Sequence, residues 1–272
     1  MHSNAGWGSV LSRQETVGSS WLRTLRLRRI QPSLLRTVSV FLPESQSEAL
    51  AVLPTVARIP SLTLLRYEGA VSPEIVGALQ QTRLQALRLG KFRCALRSDA
   101  AQLLLESTLA KSLTSLYVEC DCPALLHLLR LPKLDSLTAF LQDVAHFTID
   151  KAVTFSSPAT VLKLAPARPD PTPLSASFVL SLITNVSFPK LQSLSLMGVV
   201  IDENVSNALA ALSGATLNLI DVRSDWDPAA FAPLAPPVRL RELSFSFFLQ
   251  AADLPAICSR FTQVRSVGFE LS

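Results

Sequence analysis

KLQSLSL, residues 190–196, sets three apolar side chains at Leu191, Leu194 and Leu196 among polar ones. RLQALRL at 83–89 and SLTSLYV at 112–118 repeat the spacing. Successive side chains in an extended chain alternate between faces. The second and third apolar positions, two residues apart, therefore point to one side, and the residues beside them point to the other. The first apolar position turns the chain into the core. Each segment reads as a short strand with one face to bury and one face open.

The same apolar-x-x-apolar-x-apolar pattern recurs along the chain. It reads Leu22/Leu25/Leu27, Leu35/Val38/Val40, Leu62/Leu65/Tyr67, Leu84/Leu87/Leu89, Leu113/Leu116/Val118 and Leu134/Leu137/Ala139. It continues as Ala159/Leu162/Leu164, Leu191/Leu194/Leu196, Leu217/Ile220/Val222, Leu240/Leu243/Phe245 and Val264/Val267/Phe269. The starts are separated by 13, 27, 22, 29, 21, 25, 32, 26, 23 and 24 residues. A near-regular series of this kind marks a structure built by stacking one unit on the next. The 13-residue interval is too short for a full unit, so one of the first two matches reads as a cap.

Helical signals fall between the strands. Ser72-Pro73-Glu74 opens Ile75–Gln81, with serine to cap and proline in the first turn. Ser98-Asp99 precedes Ala100–Ala110. Asp202 or Glu203 starts a run with Val205, Leu209 and Leu212 at helical spacing, stopped by Gly214. Glu44–Ala57, Ser175–Ile183 and the leucine-rich Leu125–Leu131 are similar. Prolines at 158, 166, 169, 171 and 173 predict a stiff extended loop, and those at 228, 233, 236 and 237 predict turns in place of a helix.

On the three quoted segments, the chain resembles the leucine-rich-repeat superfamily over residues 21–272, in particular the irregular ribonuclease-inhibitor-like arrays of F-box/leucine-rich-repeat proteins. The resemblance implies an α/β solenoid or horseshoe, with parallel strands on its concave face and helices or turns on its convex face. Residues 1–20 would be an N-terminal tail or cap and 21–272 the repeat domain. It also implies a binding scaffold. About 20 residues precede the first strand, too few for an F-box, so a substrate-receptor-like protein or a truncated F-box relative is the expectation.

Composition agrees. Hydrophobic residues make up 49% and charged ones 17%, which predicts a large buried core. Nine glycines are few for nucleotide-binding loops, and the usual nucleotide, dinucleotide and zinc-protease motifs are missing. The histidines are His2, His127 and His146. His146 lies three residues from Asp143, but no nucleophile elbow accompanies the pair. Asp225 and Asp227 flank Trp226 with nothing to predict a cleft around them. Cys120 and Cys122 form a lone C-x-C; with Cys94 and Cys258 they read as buried thiols of a reducing compartment. The expectation is a protein without catalytic residues, metal or cofactor. No apolar run of 18 residues predicts a membrane span. The first 20 residues lack a secretory apolar core, so an intracellular location is expected, cytoplasmic or nuclear. The Arg- and Ser-rich start leaves a mitochondrial leader open.

Strand phase assigns the open face. Arg26, Arg28, Arg66 and Arg88 give it a basic end, Tyr117 and Phe140 an aromatic centre, and Asp221, Glu242 and Glu270 a more acidic far end. Glu119 and Arg223 belong to the same face. Charge is also uneven along the chain: residues 1–100 carry 13 Lys and Arg against 6 Asp and Glu, and residues 101–272 carry 12 against 15. Arginine and aromatic side chains are the usual anchors of protein interfaces, so these residues predict a protein partner on this face. The alternative is a nucleic-acid or anionic-surface binder using the Arg-rich N-terminal end. The last strand, near Val264–Glu270, would be an edge open to self-association.

Overall fold

The computed structural model describes residues 38–42, 44–59, 62–67, 69–80, 82, 84–89, 95–144, 147–167, 172–212, 215–222, 239–245 and 266–269; at 38, 39, 41, 203, 206, 210, 219–222, 239–245 and 266–269 the description is of backbone. Twelve strands fall among these residues. They are β1 (Val38–Phe41), β2 (Leu62–Tyr67), β3 (Ala86–Leu89), β4 (Ser115–Asp121), β5 (Ser136–Gln142) and β6 (Phe155–Ser156). Then come β7 (Val161–Pro166), β8 (Val186–Ser187), β9 (Ser193–Met197), β10 (Thr216–Val222), β11 (Arg239–Phe245) and β12 (Ser266–Phe269). Ten of them form one sheet in the order β1-β2-β3-β4-β5-β7-β9-β10-β11-β12, and every pair is parallel. Each of the ten coincides with a predicted motif. The eleventh motif, at Leu22, and the proposed tail 1–20 lie outside the described residues.

Parallel neighbours need a crossover, and helices supply most of them. The helices are α1 (Gln46–Val56), α2 (Pro73–Leu79), α3 (Ser98–Glu106), α4 (Cys122–Leu128), α5 (Ala176–Asn185) and α6 (Glu203–Ala211). α1 packs on α2, α2 on α3, α3 on α4, and α5 on α6. The molecule is thus α/β, with a parallel sheet and helices that follow one another as its strands do. No helix among the described residues is long and apolar enough to cross a membrane.

The core lies under the inward strand positions. Leu65, Leu87, Leu116, Leu137, Leu162, Leu194 and Leu217 stand opposite one another on successive strands, all buried. Burying one such leucine stabilises by about 1.5–3 kcal/mol before entropy is counted. Entry to each strand is pinned by a second device. Gln85 O accepts from the N–H groups of both Thr114 and Ser115, Thr114 O from Asp135 and Ser136, Asp135 O from Thr160 and Val161, and Thr160 O from Gln192 and Ser193. One carbonyl holds two donors at each corner, so backbone groups that strand pairing leaves over are satisfied.

Caps place several helices where the sequence predicts them. Ser72, Ser175 and Asp202 accept from Ile75 N, Phe178 N and Val205 N at 3.5, 3.2 and 2.8 Å. The run expected at Ala100–Ala110 starts at Ser98, ends at Glu106 and continues as a 3-10 turn over Thr108–Lys111. Ser107 Oγ donates to Leu104 O there, a local bond that competes with the helix ladder.

Two expectations are corrected. In β1, Val40 rather than Val38 pairs with Leu65, and Leu42 N donates to Arg66 O. The frame lies two residues along, because Val38, Val40 and Leu42 alternate equally well in either frame. In β10, Leu217 and Leu219 stand opposite Leu194 and Leu196, although the motif spacing puts Leu219 outward and Ile220 and Val222 inward. Both frames of TLNLIDV are apolar, and a register shift between Leu219 and Val222 restores Val222 opposite Phe245. No helix joins β5 to β7 among the described residues; an extended stretch carries β6, which pairs with β8 beyond α5. Ser195 on the outward face is only 8% exposed. An aspartate at 195 would therefore place a charge where little water reaches it.

Candidate functional site

Strand alternation leaves a row of side chains on the face opposite the leucines. Register places Arg66, Arg88, Tyr117, Thr138, Lys163, Ser195 and Asn218 in line across β2 to β10. Two residues further along the strands, Glu119, Phe140 and Ala165 form a second row. Met197, beyond the Leu164–Leu196 pair, extends it toward Ile220.

Three of the predicted residues form a contiguous cluster. The Arg88 guanidinium carbon lies 4.0 Å from the centroid of the Tyr117 ring. Tyr117 and Phe140 are tilted at 49° with centroids 5.1 Å apart. The ring's negative face holds the cation while leaving the guanidinium edge for hydrogen bonding. Among the described residues no ion pair involves Arg88. Arg66 stands opposite Arg88 on the next strand, the adjacency that the repeat spacing predicts.

Glu119 differs from expectation. It is 5% exposed, and Gln142 Nε2 donates to its Oε1 at 2.6 Å. That bond fixes a carboxylate beside Phe140 and makes it part of the platform rather than a free anchor. Gln142 escaped the sequence reading, although β4 and β5 are both seven residues long and therefore carry the pairing on to Asp121 and Gln142.

The remaining predicted residues are not gathered with these. Asp221 and Glu242 lie on β10 and β11, the latter opposite Asn218 and Ser266. Arg26, Arg28 and Arg223 lie outside the described residues, as do Glu270, His146, and Asp225 and Asp227 around Trp226.

Other chemically notable groups are taken up by the fold. Cys120 ends its apolar face in β4 and Cys122 opens α4; both are buried and free of disulfides. Burial pushes the Cys120 thiol well above its ordinary range and the Cys122 thiol up to about 12, and neighbouring carboxylates add to both effects. Both are therefore neutral at physiological pH, the protonated state that makes a poor ligand and nucleophile. Asp121 between them accepts from Ala124 N at 2.8 Å and pairs with Arg97 at 3.8 Å. On α4, burial and then Arg130 lower the pKa of His127. Among the described residues no group of three or more His, Cys, Asp or Glu is placed to hold a metal ion. An open cleft of about 760 Å³ lies where β6, β8 and the ends of α5 and α6 meet, with Phe155, Ile183, Val186, Phe188 and Leu212 among its lining.

No family model matches the chain, and no curated protein matches it.

Proposed function

We propose that this chain is a leucine-rich-repeat solenoid that works as a non-enzymatic protein-binding scaffold, with the outward face of its sheet as the binding surface. The observation that carries the reading is the Arg88–Tyr117–Phe140 cluster, set on a rigid parallel sheet whose strands follow chain order. Rigid backbone lowers the entropy cost of binding, and arginine and tyrosine are the residue types that dominate interface energetics. Leucines in register, corner carbonyls shared between units and helices packed in sequence support the repeat reading. An F-box/leucine-rich-repeat substrate receptor, or a fragment of one, fits this scheme in the cytoplasm or nucleus.

The test is affinity capture with the wild-type chain and with Arg66→Glu/Arg88→Glu, each with and without nuclease. A protein recovered by the wild type and lost with the variant, whatever the nuclease treatment, is the expected result. Equal recovery removes this face from the account. Arg88 stacked on Tyr117 beside Phe140 also favours a second reading, capture of single-stranded nucleic acid by stacking. That reading requires loss of the complex under nuclease and a steep fall of affinity with salt.

A further inference from the structure

We infer that the cleft on the helix side of the molecule binds an extended peptide segment that pairs with the free edge of β8, sinks apolar side chains into the cleft and carries carboxylates at its rim. This site is separate from the outward face of the sheet, so it goes beyond the scaffold reading and stands or falls without it. Three observations define the occupant.

The first is a strand edge. β6 and β8 form a ladder of two strands, and Ser157 N donates to Ser187 O across it at 2.9 Å. The N–H and C=O of one strand residue point the same way, and those of its neighbours point the opposite way. Ser187 thus uses its groups toward β6, while the Val186 C=O and the Phe188 N–H turn to the other side. Among the described residues no strand pairs with β8 there. Ala211, Leu212 and Ala215 of the next unit bound that side, and they line the cleft of about 760 Å³ together with β8. A peptide backbone added to this edge donates an N–H to Val186 O and accepts from Phe188 N.

The second is the lining. Phe155, Ile183, Phe188 and Leu212 supply apolar surface, and none of the lining residues is ionisable. Every second side chain of an extended segment faces one way, so alternate apolar residues enter the cleft. Asn185 sets a polar point in the wall. It is 7% exposed, and its Nδ2 donates to Ile149 O at 3.3 Å. Its Oδ1 receives no hydrogen bond among the described residues and is left as an acceptor for a donor on the incoming segment.

The third is charge. Arg130 stacks on the Phe155 ring, its guanidinium carbon 4.5 Å from the centroid, and Lys190 stands between the lining residues Pro189 and Leu191. Both cations are exposed, and neither forms an ion pair among the described residues. Cations beside an uncharged cleft complement carboxylates that flank an apolar stretch. A fatty acid would suit the same lining and rim but would leave the strand edge unpaired, which favours the peptide.

The probe is a short fluorescein-labelled peptide that alternates leucine with serine and ends in two aspartates, read by fluorescence anisotropy against the full chain. It should bind about tenfold more tightly than versions with serine for the leucines or lysine for the aspartates. N-methylation of alternate backbone amides separates strand pairing from simple apolar burial. Methylating one alternate set should weaken binding about tenfold, and methylating the other set should leave it unchanged. Ala211→Trp, at an exposed lining position, fills the cleft, and Arg130→Glu/Lys190→Glu reverses the rim. Each is expected to weaken binding about tenfold with unchanged circular dichroism. Arg88→Glu, on the outward face, should have no effect. No binding by the parent peptide, equal binding of the serine or lysine version, equal effects of the two methylated sets, or indifference to Ala211→Trp or to the rim pair overturns the inference. Loss of binding with Arg88→Glu overturns it too, because the peptide then lies on the outward face. A fluorescein-labelled dodecanoate that binds as tightly as the parent peptide and competes with it assigns the cleft to acyl chains instead.

Discussion

Asp121 joins strand, helix and surface within one residue. It follows a buried cysteine, precedes another, caps α4 through Ala124 N, and faces Arg97. The Arg97 pair is partly exposed and spans 3.8 Å, so the cap contributes more than the ion pair. Asp121→Ala should cost about 1 kcal/mol in a urea melt, and Asp121→Asn much less, since asparagine caps equally well. The flanking thiols give a separate prediction with a definite sign. Their folded pKa values lie above the ordinary value of 9.0, so their contribution is full below about pH 9. Between about 9 and 12 the unfolded chain alone releases the protons, and stability falls, by at most about 1.4 kcal/mol per pH unit for each thiol. The stability difference between the wild type and Cys120→Ala/Cys122→Ala should therefore shrink on going from about pH 8 to about pH 10.5. A pH-independent difference would mean that the thiols ionise normally.

Among the elements, strand phase is the assignment on which the face depends. Leu162 and Lys163 are adjacent on β7, one buried and one exposed. Leu162→Asp places an unpaired charge in the core and should cost several kcal/mol, whereas Lys163→Glu should stay within about 0.5 kcal/mol. Thermal melts that shift equally would reverse the phase. The sequence reading found all ten strands of the sheet because a buried leucine every second position leaves a period that loops cannot imitate. It located Arg66, Arg88, Tyr117 and Phe140 on one face for the same reason. It failed where periodicity is degenerate: β1 and β10 offer two apolar frames, and only hydrogen-bonded register chooses between them. It also missed the pairing of Glu119 with Gln142, which depends on how far two strands run together rather than on either sequence alone. The β6–β8 ladder was illegible as well, since two-residue strands carry no period.

At the scale of the whole molecule, β12 is the last strand of the sheet among the described residues, and there it pairs with β11. An edge strand displays unused backbone donors and acceptors. We expect self-association through this edge, visible as a sedimentation coefficient that rises with concentration. A constant monomer coefficient across a wide concentration range, with β12 amides slow to exchange, would show the edge to be covered instead.

Strand order that follows chain order has a mechanical consequence. Among the described residues, each strand of the ten-stranded sheet pairs only with its predecessor and its successor in that sheet. Tension applied between the two ends would not meet a single shear lock that fails all at once. It would unzip the sheet a strand at a time from whichever end is weaker, giving a gradual series of small force steps. Relaxation would rewind the array from the part still standing, each returning strand finding its template already in place.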